Sequence, residues 1–321
     1  MPVLDTQALI DNRVKAIRTY HQDTGIERAQ LDVSGGVDSA VMLGLLAKAV
    51  GPENITAVYS GIHSSEDSRE RARATCEAFG VSLIDIDLTE MFDDLRDAMH
   101  ASLREAGFCF MKLLDHEESD PTVLGSIRST LRAPIGRGFN RMTGGGIRHG
   151  TGNECEDRWL RFYQKGGDGE VDTNPIAMLS KGEVYQLAVA LGVPESVLSA
   201  VPSPDLQGTG EAHNDEEELK ELYGVDWTYS KVNLQGEYTS VGTIERISRY
   251  MDVGDLTGMI SIHFLEKCFI SYTTEAAMKM VESAAQIERA TRHKLNPNCP
   301  TLGDRESLVN AGILTSKLPV I

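Results

Sequence analysis

Six consecutive residues have the types and spacing to hold a phosphate: Ser34-Gly35-Gly36-Val37-Asp38-Ser39. They follow a short apolar run, Ala29–Ser34, and lead straight into a second, Ser39–Val50. Glycines without a Cβ let the backbone turn tightly and approach a ligand. The free N–H groups of a helix start, at the positive end of its dipole, suit an anion. Ser34 and Ser39 add hydroxyl donors. The Asp38 carboxylate is of a kind that holds Mg2+ against phosphate oxygens. The spacing is neither G-x-G-x-x-G nor G-x-x-x-x-G-K-[ST], which excludes a dinucleotide fingerprint and a Walker loop.

A second group lies further along. It begins with Gly150-Thr151-Gly152-Asn153-Glu154-Cys155-Glu156 and continues with Phe162-Tyr163-Gln164-Lys165-Gly166-Gly167-Asp168-Gly169-Glu170-Val171-Asp172. Leu179-Ser180-Lys181 then opens a helix, and Pro202-Ser203-Pro204-Asp205-Leu206 follows. Lys181 could be a surface cation, but its place in the first turn of a helix, where a cation opposes the dipole, argues otherwise. Each residue also has a plainer reading. Glu156 could be a solvated helix carboxylate, Asp168 a turn residue and Ser203 a loop-shaping residue between prolines. Ser64-Ser65 reads as an N-cap and Cys155 as a small apolar filler.

The first loop resembles the SGGxDS pyrophosphate loop of the ATP pyrophosphatases, which split ATP between the α and β phosphates. The whole set resembles the NAD synthetase family. Its pattern is GTGN-x-x-E, then F-x-x-K-x-GDG-x-x-D, then a Lys opening a helix, then PS/T-x-DL. The resemblance spans roughly residues 5–235, with a patch at Arg292-His293-Lys294. It implies that Asp32, Val33, Ser34, Gly35, Gly36, Val37, Asp38 and Ser39 bind ATP, joined by Thr151, Lys181 and Ser203. It implies Asp38 and Glu156 as Mg2+ ligands, and Asp38 and Lys181 as catalytic. Arg132, Lys165, Asp168, His293 and Lys294 would contact the substrate, deamido-NAD. The implied reaction activates a carboxylate with ATP and Mg2+ as an acyl-adenylate. Pyrophosphate leaves, and ammonia then displaces AMP to give the amide.

The resemblance is to the ammonia-dependent form: it begins near residue 5, so no glutaminase domain is expected. Ammonia would come from solution or from a separate supplying protein, and a homodimer is expected by analogy. Two features depart from the pattern. Thr130 stands where the family has the first Arg of an R-x-R pair, leaving Arg132. An insertion centred on residues 225–285 separates Asp205 from His293. These keep a second reading open, an AMP-forming amide ligase of the same fold acting on another carboxylate.

Placing these residues requires a β-α-β-α-β-α succession. Residues 3–23 read as an amphipathic helix, followed by strand 29–34, helix 39–50, strand 55–60, helix 66–79, strand 82–88 and helix 89–106. Such alternation predicts a doubly wound parallel sheet with helices on both faces and ligands at the strand carboxyl ends, the adenine-nucleotide alpha-hydrolase-like fold that the resemblance also implies. Further helices are expected at 154–163, 181–191 and 194–200, a polar loop at 204–218, and mainly helix beyond 219. One domain, 1–321, is expected, with a core at about 5–218. Pro134 and Gly136 interrupt the helical pattern before residue 145. Arg148-His149 argue against a buried strand before Gly150.

Composition narrows the class. The chain has 321 residues, 41% hydrophobic and 25% charged, ordinary for a globular protein. Its formal charge of −17 repels nucleic acid, which argues against a polynucleotide partner. The five cysteines are widely spaced with no C-x-x-C, so neither a disulfide framework nor a zinc site is expected. No apolar run suits a membrane span and no signal peptide is read, so a cytoplasmic protein is expected.

Overall fold

The computed structural model describes residue 3 and residues 5–201, 215–254, 256, 261–295 and 302–316. Pro202–Leu206, and with them Ser203, lie outside the described residues, as does most of the predicted 204–218 loop.

Helix α1 (Thr6–Thr24) starts where Asp5 accepts from the Ala8 N–H and ends at Gly25 in the left-handed region, φ 68°. Its buried stripe is Leu9, Ile10, Val14 and Ile17, as the periodicity predicts. Strand β1 (Ala29–Asp32) runs into α2 (Val37–Val50), whose first nine residues are all buried except Asp38. A single 3-10 turn leads to β2 (Ile55–Gly61), then α3 (Glu66–Ala78), β3 (Leu83–Asp87) and α4 (Thr89–Glu105). Ser65 caps α3 by accepting from the Ser68 N–H, as its position suggested. Next come α5 (Phe110–Ser119), α6 (Pro121–Met142) and β4 (Ile147–His149). The sheet is parallel, in the order β3-β2-β1-β4. β1 is therefore an inner strand, and the loop after it opens at the sheet's carboxyl edge.

Alternation along β1 assigns its two faces. Ala29 and Leu31 enter the core shared with α1, α2 and α8 (Lys181–Leu191). Gln30 and Asp32 point the other way, toward α6 and β4. A smaller cluster on α4, centred on Phe92, packs against Leu124, Ile127, Leu131 and Ile135 of α6. Helices thus cover both faces.

Two expectations are corrected. First, α6 is a continuous helix of 22 residues despite Pro134 and Gly136. Pro134 is exposed, and Gly136 is a close approach: a Cβ there would lie 2.3 Å from an Arg148 guanidinium nitrogen. Second, β4 is fully buried although it carries Arg148 and His149, because both find partners. Arg148 donates to Asp32 Oδ2 at 2.6 Å, Gln30 Oε1 at 3.2 Å and the Ala133 carbonyl at 3.4 Å. His149 pairs with Thr173 Oγ1 at 2.7 Å and, through Nε2, with His21 Nε2 at 3.0 Å.

The two imidazoles constrain each other. His21 Nδ1 sits 2.7 Å from the Ile26 carbonyl and must donate to it. With both rings neutral, His21 Nε2 accepts, His149 Nε2 donates and His149 Nδ1 accepts from Thr173. Burial, with His21 adding to it, pushes the His149 pKa down from 6.5 to about 3. Below pH 6.5 the unfolded chain therefore takes up a proton that the folded chain refuses. Stability should fall as pH drops from about 7 to about 5, by up to ~1.4 kcal/mol per pH unit from this ring. Urea midpoints across that range measure it, and His149→Gln should flatten the slope. A wild-type midpoint that holds steady would refute the neutral pair.

Beyond β4 come α7 (Glu154–Asp157), α8 and α9 (Glu195–Leu198), and then α10 (Asp215–Tyr223). The inserted region is mainly helical, as expected, but contains a hairpin of β5 (Lys231–Val232) and β6 (Tyr238–Ser240). It continues with α11 (Thr243–Met251), α12 (Ile262–Cys268) and α13 (Thr274–Thr291), and α14 (Arg305–Asn310) follows beyond His293. A second core joins it to the segment after α7. Trp159 and Trp227 meet edge to face, 5.0 Å between centroids, among Ile244, Ile247, Tyr250 and Val281. Helix α7 is shorter than the predicted 154–163, because residues 158–163 leave the helix to enter this core.

Candidate active site

The phosphate loop is built as its sequence implied. Gly35 has φ +83°, and a Cβ there would lie 2.2 Å from the Ser68 carbonyl oxygen, so only glycine fits. Gly36 takes the N-cap position of α2 with no side chain capping the helix. The first-turn N–H groups therefore face outward, ready for an anion. The Ser34 N–H donates to Ser39 Oγ at 3.2 Å, and Ser39 Oγ donates to the Gly36 carbonyl at 2.9 Å, which fixes the loop. Val33 is buried and donates to the Val58 carbonyl. Asp32 is taken up by Gln30 and Arg148, each at 2.6 Å, so its carboxylate serves the sheet.

Asp38, in the first turn of α2, meets residues from two other helices. Asn153 caps α7, its Oδ1 accepting from the Glu156 N–H at 3.2 Å, and its Nδ2 donates to Asp38 Oδ1 at 3.0 Å. Lys181 opens α8 behind a capping box of Ser180 and Glu183. Its Nζ lies 2.6 Å from Asp38 Oδ2 and 2.7 Å from Glu156 Oε1. The three predicted groups Asp38, Glu156 and Lys181 are thus one constellation. Burial works against the Lys181 ammonium, but Asp38 and Glu156 outweigh it and hold its pKa well above the ordinary lysine range. Burial likewise pushes the Asp38 carboxyl up, against the pull of Lys181. The Tyr229 ring, from the insertion, lies 5.2 Å from the same ammonium.

Hard carboxylate oxygens facing one centre are the donors Mg2+ takes. Among the described residues no group of three or more His, Cys, Asp or Glu forms a closed metal cage. An ion held by Asp38 and Glu156 would complete its shell with phosphate oxygens and water, as Mg2+ does at nucleotide sites. Asp157 and Asp168 also lie within electrostatic reach of Glu156; burial, with Glu156 adding to it, pushes both of their carboxyls up. The donor set fits the cation.

The substrate residues implied by the resemblance form a second cluster beside the first. Asp168 Oδ1 accepts from Ser129 Oγ and the Gln164 N–H, each at 2.8 Å, tying this loop to α6. Exposed Lys165 reaches the His293 carbonyl at 3.4 Å. Lys294 donates to the Arg161 and Tyr163 carbonyls at 3.1 and 2.8 Å, and Tyr163 Oη donates to the Lys294 carbonyl at 2.7 Å. His293 Nδ1 lies 3.0 Å from the Ala290 carbonyl. Arg132 stands apart, donating to the Ser60 carbonyl at the end of β2 and to Ser64 Oγ. Thr151 is half-buried between β4 and Asn153. Thr130 is exposed, while neighbouring Arg128 is buried with its guanidinium over the Phe92 ring.

Sequence reasoning missed four residues of this site. Asn153 and Asp157 stand within or beside the Gly150–Glu156 motif, whose helix-capping Asn was a usable signal. Arg148 stood out only as misplaced in a strand, and Tyr229 gave no signal.

The comparisons with known proteins agree with this geometry. Residues 9–235 match the family model described as NAD synthase. An NH(3)-dependent NAD(+) synthetase of Methanococcoides burtonii is 33% identical over 208 residues, 64% of this chain and 72% of the relative. One from Alkaliphilus oremlandii is 31% identical over 246 residues, 76% of this chain and 92% of the relative. The solved structure of an NMN synthetase from Francisella tularensis superposes with a TM-score of 0.65 over 92% of this chain and 99% of that one, at 20% identity, which speaks for the fold. With the phosphate loop, the Asp38–Lys181–Glu156 constellation and most of the chain in agreement, the protein belongs to the NAD synthase family.

Proposed function

We infer that this chain is an ammonia-dependent NAD synthetase: it amidates deamido-NAD with ammonia, driven by ATP, and releases AMP and pyrophosphate. The observation that carries the reading is Lys181 held between Asp38 and Glu156 at the uncapped start of α2. ATP would lay its phosphates on the Ser34–Ser39 loop. A bound Mg2+ would supply charge neutralisation at the phosphate oxygens and ease departure of pyrophosphate. Asp38 and Glu156 would hold that ion. Lys181 and the α2 N–H groups would stabilise charge as it spreads over the leaving phosphates. The substrate carboxylate attacks the α-phosphorus, and ammonia then attacks the acyl carbon, expelling AMP. Positioning does most of the work, since no side chain forms a covalent intermediate.

Lys165, Asp168, His293 and Lys294 would line the dinucleotide end, with Arg132 at the carboxyl end of β2. Thr151 would contact ATP, and so would Ser203. Lys165→Ala should raise the KM for deamido-NAD about tenfold while leaving that for ATP near its wild-type value. An effect confined to ATP would reverse that assignment.

The deciding assay is AMP release with ATP, Mg2+ and ammonium, with and without deamido-NAD, with NAD read by a coupled dehydrogenase. AMP and NAD in equal amounts are expected. Thr130, exposed where the family pattern has an arginine, favours a second reading, the same chemistry on another carboxylate. ATP-pyrophosphate exchange responding to a different acid, with no NAD made, would select it.

A homodimer in the cytoplasm is part of the proposal. Helix α4 turns Met91, Leu95 and Met99 outward at helical spacing, a stripe suited to a second copy. Sedimentation should give twice the chain mass. The four cysteines among the described residues are free, as a reducing compartment allows. No described helix is long and apolar enough to cross a membrane.

A further inference from the structure

The two carboxylates assigned to the cation already share one cation supplied by the protein itself. Asp38 has both oxygens engaged, Oδ1 by Asn153 and Oδ2 by Lys181. Glu156 Oε1 is held by the same ammonium. The Lys181 side chain is only 4% exposed, and Tyr229 flanks its charge. The ammonium therefore stands on the centre between the two carboxylates. A divalent ion bonds carboxylate oxygens at about 2.1 Å, so it would lie nearly in contact with Nζ, where repulsion between the two charges is severe. One centre cannot hold both.

We propose that Lys181 is a resident plug in the metal site, excluding the divalent cation from nucleotide-free protein and yielding only when phosphate oxygens draw its ammonium away. The inference rests on the assignment of Asp38 and Glu156 as the metal carboxylates. It gives the binding steps an order. The cation arrives with the nucleotide, not before it, because only the nucleotide brings the negative charge that gives Lys181 another partner. Lys181 thus has two stations, the carboxylate pair at rest and the phosphates when loaded.

The test uses Mn2+ alone, titrated into nucleotide-free protein and followed by the paramagnetic signal of the free ion. Wild-type protein should bind it weakly. Lys181→Met and Lys181→Gln should each bind one Mn2+ about tenfold more tightly or better, and adding Asp38→Asn should abolish the gain. Urea midpoints establish that the variants are folded, and either variant suffices. Tight, Asp38-dependent binding by the wild type, or variants that bind no better, would overturn the plug and leave the metal assignment standing. A gain that survives Asp38→Asn would place the ion elsewhere, and both would fall.

Discussion

Asp38→Ala and Glu156→Ala proteins should make no measurable AMP, a loss of about a thousandfold or more, while folding normally. The magnitude follows from the chemistry. Transfer at the α-phosphorus generates charge that Lys181 and a bound Mg2+ would stabilise, and the two carboxylates are the groups that would hold that ion once Lys181 has moved to the phosphates. The fold should survive because neither change strands a charge. Lys181 keeps one carboxylate partner in each variant, 2.7 Å away in Asp38→Ala and 2.6 Å away in Glu156→Ala. AMP release by chromatography and a urea midpoint for each protein check both halves. Turnover near the wild-type rate with Mg2+ in either variant would mean that the metal carboxylates have been misassigned.

Arg249→Met should have the opposite signature, a loss of stability of about 3–5 kcal/mol. Arg249 is 3% exposed and pairs with Glu154, itself buried at the start of α7, and with Asp252 at 2.9 Å. Burial disfavours its charge, yet Glu154, Glu183, Glu245 and Asp252 together raise its pKa further above the arginine range. Removing the guanidinium takes one buried cation from Glu154, Glu183 and Glu245 together, and among the described residues leaves Glu154 with Arg158 at 3.0 Å and Arg305 at 3.8 Å. The Arg73–Asp85 pair is the contrast, because solvent screens it and its loss strands no buried charge. Adding Glu154→Gln to Arg249→Met should recover part of the loss, since it removes one of the buried carboxylates that Arg249 offset. A single variant as stable as wild type would show that the pair is incidental.

Much of the nucleotide half was legible in sequence. Apolar runs separated by Gly35-Gly36, Gly51-Pro52 and Gly80 carry enough period and punctuation to locate β1 to β3 and the helices between them. Even the wetter face of β3 was visible, and its Asp85 and Asp87 now pair with Arg73 and Arg69 of α3. Reading failed where a tertiary partner overrides a local rule. Arg148 looked wrong for a buried strand because Asp32 and Gln30, more than a hundred residues away, supply its acceptors. Gly136 looked like a break because its missing Cβ makes room for that same guanidinium. Helix α5 and the β5–β6 hairpin went unread, being short and weakly patterned. At the site, residues that spell motifs were found, whereas Tyr229 sits in a stretch with no motif to mark it.

The second core has a consequence in time. Glu156 sits on four residues of helix whose far wall, Trp227 and helices α11 and α13, is encoded some 70 to 135 residues later. Chains emerge from the ribosome amino-terminus first. A growing chain therefore has its phosphate loop long before its second carboxylate is held in place, and ATP that visits early finds no enzyme to cleave it.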